Sequence, residues 1–182
     1  MSGLINGIRI INVYVPNGSS LNSEKFIYKA NWLAMLNEYL VKQSKRGEPT
    51  CLLGDFNIAL DDNDIYAPNK FTGSIMASEI ERKMLRKALG SRFKDSFRVF
   101  EKFSGHWSWW DYRNNSFELN KGWRIDHIYI SSDLLSNLKS SVIERSQREN
   151  IRPSDHAPVM INLNYQENLI EFEEEDDDIF NL

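Results

Sequence analysis

Two polar side chains directly follow an apolar run in CLLGDFNIAL, residues 51–60: the carboxylate of Asp55 and the amide of Asn57. Residues two apart in an extended strand share a face, so both are expected to point the same way at the end of a strand. Mg²⁺ binds a few carboxylates and leaves room for phosphate oxygens, and an amide can orient a water or a phosphate. GDFN is equally typical of an ordinary turn, so this stretch alone leaves both interpretations open.

A second carboxylate stands next to a histidine in RPSDHAPV, where Asp155 and His156 precede an apolar strand. A carboxylate beside an imidazole is the usual arrangement for tuning a histidine near neutral pH. The alternative is a capped turn that leads into the strand.

A third acid, Asp126, lies inside the otherwise apolar stretch GWRIDHIYIS. Desolvating a charge is costly, so Asp126 is expected to have a histidine or arginine partner, and His156 is a candidate. His127 faces the other way and is interpreted as structural.

Aromatic side chains crowd SGHWSWWDYR, residues 104–113. They either pack in the core or form a wall against a base or sugar, with Arg113 near a phosphate. His106, among them, is given no role. Tyr14 and Asn17, in VYVPNG, end a strand and could donate hydrogen bonds to a phosphate.

Several common kinds of site are excluded by the motifs. The chain has no GxSxG nucleophile turn, no GxxxxGK phosphate loop and no cysteine or histidine cluster spaced for zinc. Acids, amides, one histidine and a tyrosine remain, which indicates metal-assisted phosphoryl chemistry.

The elements that must position these residues follow from hydrophobic periodicity. Strands are predicted at 7–18, 50–57, 122–131 and 157–165, and amphipathic helices at 22–47 and 77–89. The first strand is rich in Ile and Val and is expected to be covered on both faces. Strands between helices predict a layered α/β or α+β architecture.

Composition bounds the setting of the chain. Its 182 residues predict one domain, and no apolar run is long enough to cross a membrane. The N-terminus lacks the features of a secretory signal, and the single cysteine, Cys51, excludes an internal disulfide. Cys51 is expected to be a buried, inert thiol, and a reducing, cytoplasmic setting fits.

The net charge of -4 hides an asymmetry between the body and the C-terminal segment. Residues 166–182 hold eight acids and no base, which leaves 18 acids against 22 Lys and Arg in residues 1–165. We expect an acidic, disordered tail. It either keeps the chain in solution or competes with nucleic acid for the mildly basic body.

Five motifs occur in an order and spacing that resemble the exonuclease III family of apurinic/apyrimidinic DNA-repair nucleases, within the endonuclease/exonuclease/phosphatase superfamily. They are NVYVPNG, LLGDFNIA, WSWWDYR, GWRIDHIYIS and PSDHAPV, and FKDSFRVF is also similar to that family. The resemblance implies an α+β fold: a four-layer sandwich of two packed mixed β-sheets flanked by helices, here incomplete at the N-terminus.

The resemblance also implies roles for the site residues. Asp55 and Asn57 would bind and orient the attacking water and the phosphate. His156 would contact the scissile phosphate while Asp126 holds it, and Asp155 would be a metal or proton-network ligand.

The implied metal is Mg²⁺, with Mn²⁺ as its substitute, and the implied ligands are Asp155, Asp55 and Asn57. Tyr14 and Asn17 match phosphate-contacting positions, with Tyr14 grouped among the catalytic residues. The implied DNA-binding residues are Asn17, Trp109, Arg113 and Trp123, with the two tryptophans lining a pocket for an abasic sugar.

The resemblance is incomplete at the start of the chain. Family members open with a strand carrying an NxNG-type asparagine and then a QE-type glutamate, the principal metal ligand. Asn6 and Gly7 lie too close to NVYVPNG for that strand, and no glutamate precedes Tyr14. We therefore expect residues 1–165 to be the C-terminal portion of the domain, completed by a missing segment or a second chain. A decayed copy is the third explanation.

Three functions remain open. The first is a Mg²⁺-dependent nuclease that hydrolyses DNA at abasic sites and 3′ ends, with weak or no activity in the chain as given. The second is a nucleic-acid-binding relative, or a remnant, without catalysis. The third is a phosphodiesterase acting on lipids or small phosphates, which the aromatic stretches disfavour.

Overall fold

The computed structural model describes residues 1–166, so all but the first residue of the acidic tail lies outside the described part. The strands are β1 (Ser2–Ile5), β2 (Ile8–Tyr14), β3 (Thr50–Asp55), β4 (Phe93–Asp95), β5 (Asp126–Ser131), β6 (Leu138–Ile143) and β7 (Val159–Leu163). The α-helices are α1 (Glu24–Ser44), α2 (Pro68–Phe71), α3 (Glu79–Leu89) and α4 (Ser96–Phe100). Single 3₁₀ segments span Asp62–Asp64, Arg113–Asn115, Ser132–Asn137 and Arg145–Glu149.

The strands form two sheets. The larger has the order β1-β2-β3-β5-β4, and the smaller pairs β6 with β7. In the larger sheet β2 and β3 run parallel, whereas the other neighbours run antiparallel. The C-terminal ends of β2 and β3 therefore meet the first residue of β5 at one edge of the sheet.

The two long helices cover one face of the larger sheet. Helix α1 begins at Ser23, whose Oγ accepts a hydrogen bond from the Phe26 main-chain N–H, and α3 begins with a capping box formed by Ser78 and Glu81. Their apolar stripes pack on the sheet in the main core. Its largest buried members include Ile11, Leu33, Leu36, Leu40, Leu52, Phe56, Leu85 and Tyr129.

The smaller sheet covers part of the opposite face. Ile8, Cys51, Ile128 and Ile130 of the larger sheet pack there against the apolar side chains of β6, β7 and the segment before β6. The predicted α+β class, with two packed sheets and helices, is confirmed. Cys51 is buried, as expected, and burial raises the pKa of its thiol to about 11.

One expectation about β2 is wrong. The strand is covered on both faces only in its first half, because the side chains of Asn12 and Tyr14 are exposed. Tyr14 lies at the end of β2, next to Asp55 at the end of β3. In the described residues, no helix is both long and apolar enough to cross a membrane.

Candidate active site

Three strand ends place the candidate side chains in one row. Tyr14 is the register partner of Asp55 in the parallel pair β2–β3, and Asp55 is the register partner of Asp126 in the antiparallel pair β3–β5. Register partners on neighbouring strands point to the same face of a sheet, so these three side chains share a face. The sheet itself thus brings together residues that are 41 and 71 positions apart.

Asp55 and Asn57 are neighbours for a different reason than expected. Strand β3 ends at Asp55, and Asn57 has a left-handed backbone with φ of 49°, so strand alternation does not relate them. A turn brings them together: Asn57 donates from its main-chain N–H to Asp55 Oδ1 at 2.8 Å and from Nδ2 to Asp55 Oδ2 at 3.0 Å. The turn interpretation of GDFN is therefore confirmed, and this turn holds Asp55 and Asn57 together, so the site interpretation stays a prediction.

Gly54 permits this close packing. Its φ is +134°, and a Cβ there would lie 1.9 Å from the main-chain oxygen of Val13 on β2. Any larger residue would push β2 away from β3 exactly where Tyr14 and Asp55 must align, so the glycine of GDFN is a requirement of the sheet.

Asn57 also connects the two loops that follow β2 and β3. Its Nδ2 donates to the main-chain oxygen of Val15 at 3.0 Å, and its Oδ1 accepts from Asn17 Nδ2 at 3.0 Å. Asn57 is 5% exposed, whereas Asn17 is exposed to solvent. The buried asparagine therefore holds the accessible one at the edge of the site.

The predicted partner of Asp126 is confirmed. His156 Nδ1 lies 2.8 Å from Asp126 Oδ2, which leaves Nε2 as the nitrogen that can face a substrate. Ser108 fixes both residues: its Oγ accepts from the Asp126 main-chain N–H at 3.0 Å, and its main-chain oxygen accepts from Ala157 N–H at 2.7 Å. His127, on the opposite face, is buried and bonds Ile58 through Nε2, as expected of a structural histidine.

Asp55, Asp126 and His156 form what we term the strand-end cluster. One ligand atom from each lies within 4.8 Å of the others, and the three are partly buried. Carboxylates are donors that a hard divalent cation accepts, so Asp55 and Asp126 fit Mg²⁺ or Mn²⁺, whereas the imidazole of His156 is a donor that suits softer transition metals. Asp155 is outside this group.

Asp155 instead contacts the aromatic segment. Its Oδ2 accepts from Trp109 Nε1 at 2.9 Å, and its main-chain oxygen accepts from the Trp110 N–H at 3.0 Å. Its assignment as a metal ligand stays a prediction. Among the described contacts, its clearest effect is to hold the loop that carries His156.

The two predicted pocket tryptophans differ in exposure. Trp109 is half-buried and has short main-chain bridges to both His156 and Trp123. Trp123 is buried and packs against Phe71 with ring centroids 5.4 Å apart. Trp109 is therefore placed beside the strand-end cluster, with Trp123 behind it.

Arg113 and Tyr14 are the exposed members of the predicted set. Tyr14 is 66% exposed at the end of β2. Arg113 lies in the 3₁₀ segment after the tryptophans and forms an ion pair with Asp111. Both side chains are accessible to a ligand that approaches from solvent. The ion pair with Asp111 uses some of the N–H donors of the Arg113 guanidinium.

The strand-end cluster shifts two pKa values. Burial, followed by the charge of Asp126, raises the pKa of Asp55 from 3.8 to about 6. Burial alone would lower the pKa of His156, but its hydrogen bond to Asp126 and the charges of Asp126, Asp55 and Asp155 outweigh it, and the pKa is raised. The site thus combines a carboxylate whose pKa is raised by burial with a histidine whose pKa is raised by its carboxylate neighbours.

Sequence reasoning missed three residues that shape the site. Ser108 is fully buried between the tryptophans, and Lys29 and Glu81 form a fully buried ion pair beneath Asn57. Lys29 and Glu81 are 52 positions apart in the sequence, and each lies on an amphipathic helix. A charged residue on such a helix ordinarily faces solvent. The one available signal was the SxxE capping pattern that places Glu81.

Comparisons with known proteins identify the family of the chain. The model of the Endonuclease/Exonuclease/phosphatase family matches residues 3–156. An exodeoxyribonuclease III from Haemophilus influenzae is 34% identical over 160 residues, which cover 84% of this chain and 60% of that relative. An exodeoxyribonuclease from Bacillus subtilis is 32% identical over 156 residues, 85% of this chain and 60% of the relative.

Solved structures give the same picture. A 3′ phosphatase from Neisseria, bound to a product DNA hairpin, superimposes with a TM-score of 0.87 at 38% identity and covers 90% of this chain and 64% of its own. The chain spans 60% of the length of the two curated relatives named above. The resemblance inferred from the motifs is confirmed, and the chain belongs to the endonuclease/exonuclease/phosphatase family.

Proposed function

We propose that residues 1–165 are the C-terminal portion of a divalent-metal-dependent DNA-repair nuclease of the exonuclease III/AP endonuclease type. The observation that carries this proposal is the strand-end cluster: His156 Nδ1 bonded to Asp126 at 2.8 Å, beside Asp55, in a row that ends at the exposed Tyr14. Acids, amides and one histidine arranged around a shared point suit hydrolysis of a phosphodiester.

The residues of the strand-end cluster and their neighbours have distinct chemical roles in this proposal. Asp55, with a pKa of about 6, accepts a proton from the attacking water. Asp126 holds His156 with Nε2 outward, where a cationic imidazole stabilises the negative charge that develops on the phosphate. Asn57 orients the carboxylate of Asp55, and Tyr14 and Asn17 donate hydrogen bonds to phosphate oxygens.

The carboxylates of Asp55 and Asp126 are the described oxygens best placed to hold Mg²⁺ or Mn²⁺, with Asp155 and Asn57 as further candidates. When bound, such an ion supplies Lewis-acid polarisation of the phosphate. We propose that a further carboxylate comes from a segment or second chain outside residues 1–165. This part of the proposal rests on the family resemblance.

We propose double-stranded DNA with an abasic site or a 3′ end as the substrate. The relatives support this class: their names are exodeoxyribonuclease, and the Neisseria phosphatase was solved with a DNA hairpin. In this chain Trp109 would face an extruded sugar, while the buried Trp123 would support Trp109 rather than line the pocket. Arg113 would contact a neighbouring phosphate.

The test is incision of an abasic-site duplex with Mg²⁺, with and without EDTA. It compares the chain alone with a completed protein, in which the chain follows the opening segment of the Haemophilus relative. We expect weak or no cleavage by the chain alone and chelator-sensitive cleavage by the completed protein. Full turnover by the 182-residue chain would show that no further carboxylate is needed.

Two variants of the completed protein test the residue roles. Asp55→Asn and His156→Ala should each reduce the cleavage rate about 10²–10⁴-fold, the range for loss of a proton-transfer group or a charge-stabilising donor. Near-normal rates in either variant would refute the role assigned to that residue. DNA binding without cleavage in the folded, completed wild type would favour a non-catalytic relative.

A further inference from the structure

A fully buried ion pair lies directly beneath the asparagines of the site. Lys29 on α1 and Glu81 on α3 are both 0% exposed, and Lys29 Nζ lies 2.6 Å from Glu81 Oε1. Removing two charges from water is costly, and a pair of apolar side chains of similar size would often hold two helices together as well. The pair therefore calls for an explanation beyond helix packing.

The bonds of Lys29 lead to the site. Its Nζ donates to the main-chain oxygen of Asn57 at 2.9 Å and to that of Asn17 at 3.2 Å. These are the two asparagines whose side chains bond each other at 3.0 Å. The ammonium group of Lys29 thus joins the loop after β2 to the loop after β3 through their main-chain oxygens. The side-chain amides of Asn17 and Asn57 join the same two loops through their own hydrogen bond.

Glu81 connects the same ammonium group to a third loop. Its carboxylate accepts from Lys29, from the main-chain N–H groups of Met76 and Ser78, and from Ser78 Oγ at 2.6 Å. The main-chain oxygen of Met76 accepts in turn from Ala59 N–H at 2.7 Å, two residues after Asn57. The loop before α3 is therefore fixed to the same turn.

The chain around Lys29 leaves little room for other side chains. Gly18, with φ of +90°, packs so closely that a Cβ would lie 3.1 Å from Lys29 Cδ. The left-handed turn of Asn57 also depends on local contacts, since φ of 49° is uncommon for a residue other than glycine. Lys29 holds the main-chain oxygen of that turn residue.

We propose that Lys29 and Glu81 are positioning residues that fix the Asn17–Asn57 pair, and through Asn57 the carboxylate of Asp55, in the geometry that faces the phosphate. The inference rests on the proposed function of that site. Neither residue contacts the reacting groups: Lys29 acts through the main-chain oxygens of the asparagines, and Glu81 acts through Lys29 and the loop before α3.

The test compares two variants that share one substitution. Glu81→Gln keeps Lys29 as a donor to both main-chain oxygens, whereas Lys29→Met/Glu81→Gln removes the donor with little change in volume. We expect hydrogen exchange of the Asn57 main-chain amide to be about tenfold faster in the double variant than in Glu81→Gln, as for loss of a charged hydrogen bond. Leu85→Ala, a core substitution in α3, controls for a general loss of stability. When it is added to both variants, the ratio of their Asn57 exchange rates should stay the same.

Mn²⁺ titration followed by electron paramagnetic resonance gives the functional readout. The double variant should bind Mn²⁺ about tenfold more weakly than Glu81→Gln, since Asp55 loses its fixed orientation. Equal exchange rates and equal Mn²⁺ affinities in the two variants would overturn the positioning role. The Mn²⁺ titrations are made in the completed protein. If Asn57 exchange is faster in the double variant but even the completed wild type binds no Mn²⁺, the positioning of the asparagines is supported and the proposed function is contradicted.

A measurement on the wild type alone covers the case in which the double variant does not fold. If Lys29 fixes the turn, the Asn57 amide should exchange about as slowly as that of Leu52 inside β3, although it lies in a loop. Exchange at the rate of an exposed turn would overturn the proposal.

Discussion

Two aspartate–histidine groups lie on either side of the start of β5, and their surroundings are opposite. The strand-end cluster has Asp55, Asp126 and His156. The other, which we term the arginine-paired cluster, has Asp64, Asp95 and His127 together with Arg98 and Arg124. Each group contains two carboxylates and one imidazole, so composition alone does not separate them.

Arginine makes the difference. In the arginine-paired cluster, Arg124 bonds Asp64 at 2.7 Å and Asp95 at 2.6 Å, and both Asp64 and Arg124 are almost fully buried. Within residues 1–166, no arginine or lysine forms an ion pair with Asp55 or Asp126. A buried carboxylate that already has an arginine is satisfied, whereas one without a cation can take a proton or a metal.

The pKa shifts follow the same division. Burial raises the pKa of Asp64, but the charges of Arg124, His127 and Arg98 outweigh it and the net pKa is lowered, while that of Asp55 is raised to about 6. Burial and the charge of Arg124 lower the pKa of His127, while that of His156 is raised. The carboxylates of the arginine-paired cluster are thus neutralised by arginine, whereas Asp55 in the strand-end cluster has the raised pKa that its proposed chemical role requires.

The largest expected effect is on stability, at the arginine-paired cluster. Arg124→Met leaves Asp64 and Asp95 without their main partner and should lower the free energy of unfolding by about 3–5 kcal/mol. Urea denaturation measures this. Arg113→Met, which removes an exposed pair with Asp111, is the matched control and should leave the free energy of unfolding almost unchanged. Equal losses of unfolding free energy in Arg124→Met and Arg113→Met would contradict the stabilising role of the arginine-paired cluster.

An intermediate effect is expected from Asp55→Asn. Because the pKa of Asp55 is raised on folding, its proton favours the folded chain at low pH, and this contribution is lost as pH rises through about 6. Relative to Asp55→Asn, the wild type should lose about 1 kcal/mol between pH 4 and pH 7, after allowance for solvent screening.

Asp64→Asn provides the control of opposite sign. The lowered pKa of Asp64 means that its contribution is present above the usual pKa of an aspartate and is lost as pH falls through the lowered value. The stability of the wild type relative to Asp64→Asn should therefore grow with pH at the acid end. If wild-type stability, measured relative to Asp55→Asn and to Asp64→Asn, changed with pH in the same direction, the two carboxylates would not differ in environment as described.

The smallest effect is a difference between histidine titrations. In NMR spectra, the imidazole of His156 should titrate above its ordinary pKa of 6.5, and that of His127 below it. Asp126→Asn should lower the pKa of His156 because it removes the bonded charge. A His156 that titrates below His127 would show that the two environments are not as described.

Periodicity in the sequence predicted the elements that form the scaffold of the site. β2, β3, β5, β7, α1 and α3 lie where the apolar patterns placed them, because each has a face against a core. β1, β4 and β6 were not predicted. They are short or partly exposed, so they carry little periodic signal.

The site was predicted where a local rule sufficed. The partner of Asp126 followed from the cost of a buried charge, and the five motifs indicated the family. Sequence could not predict that Lys29 and Glu81 meet, or that Arg124 pairs Asp64 and Asp95, since those contacts join segments 29–60 positions apart through tertiary packing. The tertiary contacts also placed Asp155 on Trp109 rather than in the strand-end cluster.

The central claim is that the strand-end cluster is a cation-dependent phosphoryl site rather than a second structural network. Electron paramagnetic resonance with Mn²⁺ tests it most directly, because it needs no substrate. We expect the completed wild-type protein to bind Mn²⁺ and Asp55→Asn to weaken this binding at least about tenfold, while Asp111→Asn does not. Equal Mn²⁺ binding by the completed wild type and Asp55→Asn, or no binding by the folded, completed wild type, would contradict it.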